Sequence, residues 1–172
     1  IVESILKERY YQPGETSWED IAWRVANYIG DTDIAKDTYY RVISEKRLIP
    51  NSPCLMNAGT PQGGSLSACF SVPTDDSIDS IFDAVKACAK IHKQGGGTGI
   101  SFSNIRANGS PVKGTGHVAS GPISFMKVFN EATETIKQGG KRRGANMGHL
   151  NVDHPDIIEF IKFLVIHQAI II

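Results

Sequence analysis

The apolar residues of this chain change spacing several times, and each change marks an element. Trp18, Ile21, Val25 and Ile29 recur at three- and four-residue intervals, which predicts a helix over residues 16 to 29 buried along one side. Thr16 and Glu19 fit a capping box at its start, and Gly30 is a natural stop. Residues 33 to 46 predict a second helix with Ile34, Val42 and Ile43 buried. The stretch "IPNSPCLMNAGTPQGG" that follows holds Pro50, Pro53 and Pro61, and reads as a loop or irregular strand.

The period then drops to two. In "SLSACFSVP", Leu66, Ala68, Phe70 and Val72 share one face, while Ser67, Cys69 and Ser71 share the other, which predicts a strand with one apolar and one small, polar face. A helix opens near Ser77 and buries Ile78, Ile81, Phe82, Val85 and Ala89. Asp75, Asp76 and Asp79 lie near its N-terminus, where negative charge is favourable. "QGGGTG" ends it, and "ISFSNIR" predicts a second strand closed by Arg106. Pro122 opens a further helix with Ile123, Met126, Phe129, Thr133 and Ile136 in register. "NMGHLNVD" predicts a third strand, and Asp153 caps a helix beginning at Pro155. A helical lead-in followed by alternating strands and helices predicts an α/β fold with largely parallel strands.

Composition narrows the class. The chain has 172 residues, 41% of them apolar and 21% charged, with a formal net charge of zero. That is ordinary globular usage with no general attraction to nucleic acid or anionic lipid. No signal-peptide pattern is visible and no apolar run reaches membrane-spanning length. Three cysteines, Cys54, Cys69 and Cys88, follow no zinc-like spacing. They favour a reducing cytosol with free or redox-active thiols. The chain begins without Met and stops inside an apolar run, so a fragment of a longer protein is expected.

Two glycine-rich segments invite a nucleotide reading. "QGGGTG" misses the G-x-G-x-x-G spacing and lies between a helix and a strand, the reverse of a dinucleotide-binding turn. "KQGGKRRGA", residues 137 to 145, is no P-loop, because Thr135 stands where its first glycine belongs and Arg142 replaces the required Ser or Thr. Each is either a solvated turn or an anion-binding loop of another design. Gly139 and Gly140 allow close backbone approach, and Arg142 and Arg143 offer planar donors suited to phosphate. Arg106 is either a surface ion-pair member or a ligand cation, and Asp76 either a cap or a ribose ligand. Cys69 is either a small packing residue or a thiol that faces a cavity and can become half of a disulfide. No metal site is read, because His92, His117 and His149 have no carboxylate or cysteine at ligand spacing.

Taken in order, "NSPCLMNAGT", "LSACFSVPTDDSIDSIFDAVK", "IHKQGGGTGISFSNIRANGSPV", "ASGPISFMKVFNEATETIKQGGKRRGANMG" and "VDHPDIIEFI" resemble the large, catalytic subunit of a ribonucleotide reductase. The wording most resembles the adenosylcobalamin-dependent, class II branch. The resemblance implies a helical N-terminal region, here residues 1 to 48, and part of the first half of a ten-stranded α/β barrel, here residues 49 to 172. It implies that Cys69 is the first-strand cysteine of the redox pair that reduces the ribose 2′-carbon. Ser52 is expected to hold the substrate diphosphate and Ala68 to line the substrate pocket through its backbone. Asp76 and Arg106 are expected to bind the ribose and phosphates of a deoxynucleoside triphosphate or ATP effector, with Lys93 assisting. Lys137 to Ala145 matches the loop that connects effector and substrate sites, with Gln138 and Arg142 as its main reading residues.

The same resemblance implies a ribonucleotide substrate, adenosylcobalamin as radical source, an external thioredoxin-like dithiol reductant, a homodimer and a cytoplasmic location. The family's thiyl-radical cysteine, second redox cysteine, and catalytic asparagine and glutamate match nothing in this chain. After Ile161 the sequence "KFLVIHQAIII" departs from the family pattern. The 172 residues alone are therefore expected to be inactive. The competing expectation is a non-catalytic nucleotide-binding or dimerisation module that retains the effector site.

Overall fold

A computed structural model describes residues 2–112, 117–136 and 144–167, those at 166 and 167 by backbone alone. The chain divides into two compact units, residues 1–68 and 69–172. The sequence division at residue 48 falls inside the first unit, because Leu55 and Ala58 are buried in the same core as Ile21, Val25 and Ile43.

The first unit holds α1 (Val2–Arg9), α2 (Trp18–Ile29), α3 (Asp33–Ser44) and the short α4 (Ser52–Asn57). The cap of α2 is Ser17 rather than Thr16. Its hydroxyl accepts from the Asp20 amide at 3.2 Å, and the Asp20 carboxylate accepts from the Ser17 and Thr16 amides at 3.0 and 2.8 Å. On α3, Ile43 is fully buried but Ile34 is 82% exposed. Nine residues of helix turn through two and a half revolutions, so the two isoleucines face opposite ways. Where a loop was expected, α4 forms. Asn51 caps it by accepting from the Cys54 amide at 2.9 Å. Pro53 falls in the first turn, where a missing amide hydrogen does no harm.

The second unit is a three-stranded parallel sheet in the order β1 (Cys69–Val72), β2 (Gly97–Ser101), β3 (Asn146–His149). Between the strands run α5 (Ile78–Lys93) and α6 (Gly121–Ile136), and α7 (Ile157–His167) follows. This is the helical lead-in and parallel α/β pattern that the sequence predicts. The second strand starts earlier than expected: Gly97, Thr98, Gly99 and Ile100 pair with Cys69 to Val72 in sequence. The chain turns after Ser101, so Arg106 lies past the strand end, although Phe102 and Ile105 remain buried. The turn from α5 into β2 depends on Gly95, whose φ of +81° is a left-handed conformation that glycine adopts freely.

The core of this unit lies between the sheet and its helices. Val72, Ile100 and Phe102 pack there with Ile81, Met126 and Phe129. Phe102 and Phe129 meet edge to face, with centroids 5.4 Å apart. Among the described residues no helix is long and apolar enough to cross a membrane.

Candidate functional site

The pleat that buries Val72 and Ile100 turns Cys69 and Ser71 to the other face of the sheet. Register extends that face across the strands: Cys69 lies beside Gly97, Ser71 beside Gly99 and Met147, and Ser101 beside His149. The two glycines contribute no side chains, so a recess of about 620 Å³ opens over this face. That is within the usual range for a small-molecule site. Cys69 is exposed and its thiol is free. At the far end of the recess, His149 Nδ1 lies 3.2 Å from Ser101 Oγ, which donates to Ser103 Oγ at 3.2 Å. The alternation made the Cys69 face legible in advance. The Ser101–Ser103–His149 group was not, because it depends on register between strands distant in sequence.

A second hollow of about 300 Å³ lies beyond the ends of β1 and β2. Its polar edge is Asp76 and Arg106. Arg106 Nε donates to Asp76 Oδ2 at 2.6 Å, and the Arg106 amide donates to Oδ1 at 3.3 Å. Ser77, which caps α5, and Gly121, which opens α6, also border it, so the positive ends of two helices face the same hollow. Ile81, Ile105 and Phe125 form its apolar wall. A carboxylate, a guanidinium, helix N-termini and an apolar wall are the groups that a ribose, a phosphate chain and a base require.

The remaining expected residues fall elsewhere. Lys93 ends α5, whereas Asp76 precedes its start. The 16 residues of α5 that separate them span about 24 Å, so Lys93 does not reach the Asp76–Arg106 pair of its own chain. Ser52 begins α4, with its hydroxyl 3.0 Å from the Tyr10 hydroxyl. Ala68 is the last residue of the first unit. Lys137, Gln138 and Arg142 lie outside the described residues. Among the described residues no cluster of His, Cys, Asp or Glu is arranged to hold a metal ion.

Known proteins share both units. Residues 67–167 match the family described as ribonucleotide reductase, barrel domain, and residues 2–63 match ribonucleotide reductase, all-alpha domain. A vitamin B12-dependent ribonucleoside-diphosphate reductase of Thermoplasma acidophilum is 59% identical over 123 residues, covering 72% of this chain and 16% of that protein. The ribonucleoside-diphosphate reductase large subunit of Arabidopsis thaliana is 42% identical over 134 residues, covering 77% of this chain and 16% of that protein. The solved class Id ribonucleotide reductase alpha subunit of Actinobacillus ureae superposes with a TM-score of 0.78 at 25% identity, covering 99% of this chain and 31% of that one. The all-helical unit and the parallel α/β unit thus each match a ribonucleotide reductase domain. The chain belongs to the ribonucleotide reductase large-subunit family. It spans about one sixth of the length of these curated relatives.

Proposed function

We propose that this chain is the part of a ribonucleotide reductase that contributes the first reducing thiol and the effector-binding pocket. The observation that carries this reading is the free, exposed thiol of Cys69 on the open face of the sheet. Reduction at a ribose 2′-carbon consumes two thiols: the hydroxyl leaves as water and the two sulfurs form a disulfide. Cys69 supplies one thiol, and its partner and the radical-forming cysteine come from outside these residues. An external dithiol of thioredoxin type then reduces the disulfide by exchange. Such chemistry suits the cytoplasm, where thiols are kept reduced.

In this reading Asp76 holds an effector ribose, and Arg106 with the two helix N-termini holds the phosphates of a deoxynucleoside triphosphate or ATP. Lys137 to Ala145 connects that pocket to the substrate, with Gln138 and Arg142 as contacts. Ser52 and Ala68 serve the substrate diphosphate and pocket wall. Lys93 joins an effector pocket only across a dimer in which one α5 runs antiparallel to its partner. Ile78 and Phe82 support such a dimer, being 61% and 51% exposed on α5. Effector control works because the nucleotide binds one arrangement of the connecting segment better than another.

Relatives named for vitamin B12 suggest adenosylcobalamin as the radical source. The described residues do not fit a corrin. The recess near Cys69 has the size of a nucleotide site, and the polar side chains on its face are the Cys69 thiol, the Ser71 and Ser101 hydroxyls and the His149 imidazole.

Titration calorimetry of the 172-residue chain with dTTP tests the reading. Saturable binding that Asp76→Asn weakens supports it; absence of binding overturns the effector assignment. The exposed face of α5 also fits a non-catalytic nucleotide-binding or dimerisation module. Restored reduction of CDP on adding the complementary barrel segment decides for the enzyme. Binding with no restoration decides for the module. The chain alone, given cofactor and dithiol, is expected to turn over neither CDP nor ADP.

A further inference from the structure

Behind the sheet, four polar side chains from four elements form one buried chain of hydrogen bonds. His92 lies on the last turn of α5, Thr98 on β2, Thr133 near the end of α6, and Asn146 begins β3. His92, Thr98 and Thr133 are each at least 94% buried. The Thr98 hydroxyl donates to Asn146 Oδ1 at 2.7 Å, and Asn146 Nδ2 donates to Thr133 Oγ1 at 2.7 Å. Thr133 in turn donates to the Phe129 carbonyl at 2.8 Å. Because the Thr98 hydrogen is committed to Asn146, the 3.0 Å contact with His92 Nε2 requires the imidazole to carry its proton there. His92 Nδ1 then faces Thr133 Oγ1 at 3.4 Å.

Burying this many polar groups is costly unless they are satisfied, and here the Thr98 and Thr133 hydroxyls, the Asn146 amide and His92 Nε2 each find a partner. The residues joined are also not arbitrary. Thr133 and Asn146 are the two stems of the α6–β3 connection, and their mutual hydrogen bond closes its base. Gly144 completes the arrangement: a Cβ there would stand 2.8 Å from His92 Cγ, so the imidazole rests against the backbone of the returning stem. The Thr98 amide also donates to the Ala145 carbonyl at 2.9 Å. On the opposite face of the same strands, one register step away, lie Gly97 and Gly99 beneath the Cys69 recess.

We propose that His92 is a positioning residue: with Thr98 it latches both stems of the α6–β3 connection to the sheet, so that a nucleotide held across the dimer, by the pocket of a partner copy set against this end of α5, changes the Cys69 recess. This rests on reading the connection as the link between effector and substrate. The latch comprises His92, Thr98, Thr133, Gly144 and Asn146. None of their side chains needs to touch a nucleotide.

The test uses the 172-residue chain and two variants of a residue outside both pockets' polar groups. Thr98→Val keeps the β-branched shape and removes the hydroxyl; Thr98→Ser restores it. Alkylation of Cys69 by iodoacetamide is timed with and without dTTP, and amide exchange of residues 144–149 is measured without nucleotide. In the wild type dTTP is expected to change the alkylation rate several-fold. Thr98→Val should bind dTTP within about twofold of wild type, with the rate change abolished and exchange at 144–149 at least tenfold faster; Thr98→Ser should regain both. A Thr98→Val protein that folds, binds dTTP and keeps the full rate change overturns the proposal. If dTTP does not bind at all, the effector reading fails, and the latch is decided by exchange: unchanged protection at 144–149 overturns it as well.

Discussion

Arg106 Nε and Asp76 Oδ2 lie 2.6 Å apart across 30 residues of sequence, and each side chain is about one third exposed. An ion pair this open to water is worth about 0–1 kcal/mol to stability. The same groups border a hollow fed by two helix N-termini, where an anion would gain far more. Arg106→Ala is therefore expected to shift the urea midpoint little and to weaken dTTP binding roughly tenfold or more, the order of a lost charged contact. Calorimetry and urea titration of the same sample separate the two effects. A large stability loss with unchanged affinity would make the pair structural.

The three cysteines are expected to react in a fixed order. Cys69 is exposed, Cys54 is half-buried and Cys88 is buried. Burial pushes both the Cys88 and Cys54 thiols up, which lowers their thiolate fraction; beside Cys54 the Arg24 charge pulls the other way. With Ellman's reagent at pH 8, one thiol should react fast and Cys69→Ser should remove that phase. Cys88 should react only in denaturant. A fast phase that survives Cys69→Ser would mean that the thiol on the open face is not the accessible one.

What the sequence disclosed follows from how local each signal is. Strand alternation placed Cys69 on its face, and the N-terminal acidic cluster and Ser77 placed α5, because both depend on neighbours a few residues away. Ile34 reads as buried in the sequence because one apolar residue at the wrong phase looks like a member of the stripe. The short α4 was hidden by Pro53, a helix breaker everywhere except the first turn. The sequence pattern starts β2 three residues late because Gly97 and Gly99 carry no strand propensity of their own; pairing with Cys69 to Val72 makes them a strand. Lys93 is grouped with Asp76 and Arg106 by the family resemblance alone, and the continuous helix α5 shows the distance within one chain. The His92–Thr98–Asn146–Thr133 chain has no local signature, since its members are 6 to 48 residues apart in successive bonds.

Arg24 offers a stability test confined to the first unit. Its guanidinium pairs with Glu15 at 2.6 Å and donates to the Ala58 and Leu55 carbonyls at 2.6 and 3.1 Å, with both charged side chains nearly buried. It thus fastens α2 to the segment that holds α4. Removing one partner of such a pair leaves the other charge uncompensated, and about 3–5 kcal/mol is expected for Arg24→Ala. The chain's two tryptophans, Trp18 and Trp23, both lie in this unit, so their fluorescence in urea reports its unfolding. A loss under about 1 kcal/mol would place this pair with ordinary surface ion pairs.

His92 should give the second unit an acid-side weakness. Burial holds its pKa below the ordinary 6.5, opposed by a hydrogen bond to the Ala145 backbone. The groups it faces on the other elements, the Thr98 and Thr133 hydroxyls, are uncharged, and Thr98 itself also faces the Cys88 thiol. As pH falls through about 6.5 the unfolded chain binds a proton at this position, whereas the folded chain binds it only at lower pH. Over that window the unfolded state holds more protons, so acid favours unfolding. The contribution of the neutral ring is fully present above 6.5 and is lost progressively as pH falls toward the lowered folded value. His92→Gln cannot titrate, so the drop in urea midpoint between pH 7.5 and pH 5 should be smaller in that variant than in the wild type. Circular dichroism follows the transition, since the tryptophans do not report on this unit. Equal drops in the two proteins would show that His92 takes up its proton in the folded state as readily as in the unfolded one.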